Sequence, residues 1–243
     1  MGIPNRVRLV ITAVTYTILI SIHVLTGNID AFIIGIVVVI GTAWSFGFDL
    51  KVKEILPFLF LPAIYVMSMP VIIGGLEGLV QYVALVISGA GLYVFLLTLN
   101  ILNVATIKRI PLKKPALSAL YLFGIVLFFF YAYRLVLHEG WGNQTSLLWY
   151  WLSVCLYGFS YLYIISSRVF QLESLLFTFI SAEIVILVAF FPAMPLNMSI
   201  FMVGWIFIIL GIMQHNSEKT LTRSITREYV SAGLIISIMY FLL

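Results

Sequence analysis

The chain has 243 residues, 63% hydrophobic and only 9% charged, with a formal net charge of +4. A soluble domain carries about 25% charged residues, so this composition cannot coat a globule in water, and lipid is the solvent that its exterior requires. The basic residues lie in short segments between apolar runs and not on one face of a soluble domain, which excludes nucleic acid as a partner.

At roughly 20 residues per crossing plus a short loop, the length accommodates about eight to ten crossings. The apolar runs are continuous, without the alternation of a barrel strand, so each is predicted to be a helix that satisfies its own backbone in hydrocarbon. The first, 7–26, follows Arg6 and Arg8. It is too long for the apolar part of a cleaved signal sequence and ends without a small-residue site, so it is read as an uncleaved helix. Arg6 stands where a myristoylation motif after Gly2 needs Ser or Thr. The second run is 30–47. The third, 55–73, contains Pro57, Pro62 and Pro70, and Pro62 is expected to kink it by freeing a carbonyl.

The fourth run, 79–99, carries Gln81, Ala84, Ser88 and Gly91 at helical spacing, a small-residue stripe that lets helices approach closely. The loop after it, 100–115, holds Asn100, Asn103, Lys108, Arg109, Lys113 and Lys114, with Pro111 and Pro115 expected to break helix. Its four cations fix topology and are also suited to anionic lipid headgroups. The fifth run, 116–137, is followed by an outer loop with Gly140, Trp141 and Gly142, in which Asn143-Gln144-Thr145 forms a glycosylation sequon. The sixth, 146–166, shows Tyr150, Ser153, Tyr157, Ser160 and Tyr161 at steps of three and four, a polar stripe facing protein or a wet cavity. The seventh and eighth are 172–191 and 196–213, and the ninth, 229–243, has Gly233 and Ser237 for packing. With about fifteen residues the ninth is short for a crossing unless its helix begins near Thr226; eight spans with an interfacial last helix is the alternative.

Charge fixes an orientation. Twelve of the thirteen Lys and Arg residues lie at the N-terminus (Arg6, Arg8) or in alternate gaps: Lys51 and Lys53; Lys108, Arg109, Lys113 and Lys114; Arg168; and Lys219, Arg223 and Arg227. The opposite gaps hold Asp30, Glu77 and Glu139, with Arg134 as the one basic exception. The positive-inside rule then puts the N-terminus in the cytoplasm and the C-terminus outside. The expected fold is all-α: a single polytopic bundle of about nine transmembrane helices over residues 1–243, multi-pass in the plasma membrane.

Few residues carry candidate chemistry. Glu183 lies just past the middle of the seventh run, where an ionised side chain costs on the order of 2.5–3.5 kcal/mol, so it is expected to be protonated, paired or facing a polar cavity. Arg134 sits about a turn below the outer end of the fifth run, with His138 one turn on and Glu139 beside it. A guanidinium there fits a lipid phosphate in a bidentate manner, or snorkels to the interface. His23, His138 and His215 fall in different regions, Cys155 is the sole cysteine, and Asp30 and Asp49 fall on opposite sides, so no metal or diphosphate site is expected. No lysine lies within a span and no nucleophile elbow is present. No cofactor is expected.

The expected function is that of a non-catalytic scaffold or accessory subunit of a membrane complex, with membrane lipids, other membrane subunits or a second copy as partners. The alternative is a secondary transporter or lipid carrier that uses Glu183 as its protonatable site, the Ser153, Tyr157 and Ser160 stripe as its path and Arg134 at its outer mouth. A third is an outer-face lipid-modifying transferase around Arg134, His138 and Glu139, with His138 as base.

Overall fold

A computed structural model of the protein describes residues 5–46, 55–108, 110–139, 144–166, 172–191 and 193–242. Among the described residues the secondary structure is nine α-helices and no strand: α1 (Asn5–Thr26), α2 (Ala31–Phe46), α3 (Ile55–Gly74), α4 (Gly78–Lys108), α5 (Lys113–Glu139), α6 (Gln144–Ser166), α7 (Leu172–Phe190), α8 (Pro195–Ser217) and α9 (Arg223–Leu242). Eight of them are long and apolar enough to cross a membrane. The protein is a polytopic helical membrane protein.

Many serine and threonine hydroxyls fit these apolar helices by bonding back to their own helix. Thr17 donates to the Ala13 carbonyl (2.8 Å), Ser21 to Thr17 (2.7 Å), Ser68 to Ile64 (2.8 Å) and Thr98 to Val94 (2.9 Å). Gly27 ends α1 with φ of 68°, its N–H on the His23 carbonyl at 2.9 Å, the left-handed cap that glycine adopts without a Cβ penalty.

Three element bounds differ from the sequence reading. The short helix is α2, with 16 described residues and a rise of about 24 Å, and not α9, which has 20. As the requirement for a full crossing implied, the last helix begins early, with the polar residues Arg223–Glu228 as its first turns. The inner loop between α4 and α5 shrinks because α4 runs on for 31 residues, about 46 Å, well beyond the ~30 Å of hydrocarbon. Leu102, Asn103 and Ala105 bury one side of that extension, so packing carries the helix past the membrane. Pro115 does not break α5. It lies in the first turn, where an N–H has no partner to lose. Lys51, Lys53, Arg109 and Arg168, four of the cations behind the expected orientation, lie outside the described residues.

The chain divides into two compact units, Met1–Leu127 and Phe128–Leu243, with α5 contributing a half to each. In the first, α1 packs on α2, α3 and α4, and α3 packs on α2 and α4. Small residues set these approaches: a side chain at Gly89 would collide with Thr17, and one at Gly91 with the Tyr65 hydroxyl. Ser88 of the predicted stripe is buried and its carbonyl accepts the Tyr65 hydroxyl at 2.7 Å. Rings of Tyr65, Phe95 and Phe123 stack at centroid distances of 4.6 to 5.8 Å in the middle of this unit. Toward the predicted inner end, Thr12 joins α1 to α2 through Ser45 (2.8 Å) and the Gly41 carbonyl (3.2 Å), while Arg8 donates to the Trp44 carbonyl (3.3 Å) and lies over its ring.

In the second unit, α6 packs on α7 and α8, α7 on α8, and α8 on α9. The α9 stripe receives Trp205 of α8, whose ring lies against Gly233 and whose Nε1 donates to Ser237 at 3.1 Å. Tyr240 donates to the Phe191 carbonyl and stacks on Phe201.

Candidate functional site

The costliest residue in the sequence, Glu183, lies on α7. This helix has one buried stripe, Phe177, Ser181, Ile184, Val185 and Val188, spaced to face α6 and α8. Polar groups on that side are satisfied locally: Ser181 donates to the Thr178 carbonyl at 2.9 Å and lies 3.6 Å from Cys155 Sγ, and Trp151 Nε1 donates to the same carbonyl at 3.4 Å. The opposite side is exposed, and Glu183 is on it. Around the carboxyl are Phe179 (64% exposed), Ile186 (53%) and Leu187 (37%). Among the described residues Glu183 has no hydrogen bond or ion pair. By helical rise it lies about 16 Å from Leu172 and about 10 Å from Phe190, too far in for its side chain to reach either end.

The predicted α6 stripe is largely buried within this unit. Tyr150, Tyr157, Ser160 and Tyr161 are all buried, and Ser153 is half-buried with its hydroxyl on its own Trp149 carbonyl at 2.8 Å. Tyr157 meets Phe128 edge-on at 5.3 Å, Phe207 at 6.3 Å and Tyr161 at 6.5 Å, while Tyr150 meets Phe128 at 6.0 Å and Tyr131 at 5.3 Å. Aromatic rings thus pack along the stripe, edge-on or tilted except for the parallel Tyr157–Tyr161 pair. Tyr157, Ser153 and Ser160 share α6, whereas Glu183 points away from that helix.

Arg134 lies one turn from Tyr131 on α5 and is half-buried, while Tyr133 stacks on Phe129 at 6.4 Å. The side chains of His138 and Glu139, and all of residues 140–143, lie outside those described.

A polar network joins the ends of α6, α7 and α8 that the charge pattern assigns to the cytoplasm. The Tyr161 hydroxyl donates to Gln214 Oε1 at 2.8 Å, Gln214 Nε2 donates to Glu218 at 3.5 Å, and Asn216 Nδ2 donates to Glu173 at 3.3 Å. Sequence reading passed over Gln214, Asn216 and Glu173. Their signal was there, because all three fall at the ends of apolar runs predicted to lie on one side.

The first unit holds an open groove of about 420 Å³ lined by Arg6, Tyr93 and Asn100 together with Leu97, Ile101 and Val104, and closed by Ile110 and Leu112 beyond the end of α4. Gly89 abuts Thr17, and the same eleven-residue step leads from Thr17 to Arg6 and from Gly89 to Asn100, so the guanidinium and the amide lie level on antiparallel helices. Counting about 20 residues from Gly78 puts that level where the hydrocarbon gives way to headgroups. Among the described residues no group of three or more His, Cys, Asp or Glu side chains is placed to hold a metal ion.

Comparison with protein-family models, with curated proteins and with solved structures found no match.

Proposed function

We propose that the protein is a non-catalytic scaffold or accessory subunit of a membrane complex, and that it docks a partner transmembrane helix against the outward face of α7. The observation that carries this is Glu183, a carboxyl at the middle of a span, exposed and without a bonding partner among the described residues. Facing hydrocarbon it would carry an uncompensated cost, and intramembrane acids are retained where something pairs with them. An apolar helix face needs no partner in lipid, but this face with its acid does.

The transport reading needs Glu183 to share a hydrated path with the α6 stripe. The outward position of the acid and the aromatic packing along Tyr157 weigh against it. It would be restored if Glu183→Gln abolished pH-dependent uptake or flipping in proteoliposomes while expression held. The transferase reading rests on His138 and Glu139, whose side chains are not among those described.

The test of the scaffold reading is particle size in lipid nanodiscs formed without detergent. The wild type is expected in a particle larger than one 27.4 kDa chain, and Glu183→Leu is expected to shrink it. A bare monomer for both would overturn the proposal.

The groove favours an added role in holding lipid. Arg6 and Asn100 offer donors to a phosphate at headgroup depth, and Leu97 and Ile101 offer a bed for an acyl chain. Native mass spectrometry is expected to find anionic phospholipid carried with the wild type and lost from a variant with both Arg6→Ala and Asn100→Leu. Equal retention by both proteins, or equal carriage of phosphatidylcholine, contradicts the lipid role.

A further inference from the structure

Among the described residues α7 has nine that are exposed; Leu175, Leu187 and Ala189 flank the other six, which share one line along the helix. Leu172, Leu176, Phe179, Glu183, Ile186 and Phe190 follow one another at steps of four, three, four, three and four, and all six are exposed. Steps of three and four keep these six side chains in one line along the helix, a seam against which another helix can lie, with a single polar residue among apolar ones. The five apolar members are 45 to 76% exposed, so the seam is open over the full length of the span.

We infer that the partner covering this face is a second copy of the chain, joined through α7 against α7 with Glu183 facing Glu183. This deepens the scaffold reading above and rests on it. Copies inserted in one membrane share one orientation, so a pair formed through the same face is related by a two-fold axis along the membrane normal. Parallel helices related in this way bring each seam residue to its own counterpart. Leu176, Phe179 and Ile186 then meet like residues, as in a parallel two-stranded coil. Glu183 meets the one side chain able to answer it without any further component: as neutral acids, two facing carboxyls donate and accept reciprocally. Among the described residues no lysine or arginine lies at mid-span on another helix of the chain to serve instead. A single polar residue at a seam position also fixes register, because any slip would leave both acids opposite apolar side chains.

Cross-linking within the membrane tests the pairing. In a Cys155→Ser background, single cysteines replacing Leu176, Phe179 or Ile186 are oxidised in native membranes, alongside Val80 and Ile87 on α4 and Leu234 and Ile238 on α9 as equally exposed controls. Disulfide-linked homodimers are expected at the three seam positions and not at the controls. Glu183→Leu is expected to weaken the pair about five- to thirtyfold, the range for one polar contact between membrane helices. Glu183→Lys alone is expected to abolish the homodimer, and co-expression with wild-type Glu183 is expected to restore linkage at Phe179→Cys.

Linkage at seam and control positions alike would reflect random collision and overturn the inference. So would unchanged dimerisation of Glu183→Leu. Seam cysteines linking only to a different protein would overturn self-pairing and leave the scaffold reading standing. A chain that stays monomeric and unlinked at every position would remove both.

Discussion

Glu183 has no bond among the described residues, so removing it should separate folding from association. Glu183→Leu is expected to leave unfolding of the detergent-solubilised monomer within about 0.5 kcal/mol of wild type, the range for a surface position. A large loss, measured by denaturant titration, would mean that the acid is a buried structural group after all. Lys219 behaves differently. It follows the last turn of α8 with φ of 57°, and the Glu218 N–H caps that turn on the Gln214 carbonyl at 2.9 Å. A left-handed residue other than glycine costs about 1–2 kcal/mol, so Lys219→Gly is expected to stabilise the protein by about 1 kcal/mol in the same titration, and a loss would contradict this cap geometry. The cost of Glu183 was legible from residue type and position alone. Its direction was not. In a soluble helix polarity marks the outside, but α7 is apolar on both faces, because lipid and protein interior reward the same side chains. The buried stripe through Phe177 and Val188 and the open stripe through Phe179 and Phe190 look alike in sequence.

Among the elements, the stripes of small and polar residues were the most readable features. The α6 stripe is buried as its spacing implied, and the Gly233–Ser237 pair of α9 receives Trp205. Gly233→Leu is expected to force the Trp205 ring away and cost several kcal/mol, since overpacking and the lost Ser237 bond act together. Ser237→Ala, which removes the bond and keeps the space, is expected to cost only about 0.6–1 kcal/mol. Equal effects of the two on thermal unfolding would show that the ring does not pack on the glycine. Helix ends were less legible. Hydropathy marks where hydrocarbon stops, but α4 continues through Asn103 and Lys108 because one side of its extension is still packed. Pro115 reads as a breaker in isolation and becomes a starter once it falls in a first turn. The polar network through Gln214 and Asn216 depends on three helix ends meeting, which residue spacing within one run cannot reveal.

For the whole molecule, composition and the continuous apolar runs were enough to establish a polytopic helical fold, because hydrocarbon leaves so few ways to satisfy a backbone. The expected orientation rests on the cations, which the positive-inside rule keeps to one side. The threading of the helices governs what is proposed on the fold: the mid-span depth of Glu183 and the parallel alignment of two α7 helices. The most direct measurement is sidedness. Single cysteines replacing Lys113 and Glu139, at the two ends of α5, are treated in intact cells with a membrane-impermeant maleimide. Labelling is expected at position 139 alone, with 113 reacting only after the cells are opened. Labelling of both positions from the same side of intact cells would contradict the threaded helix between them, and with it the fold.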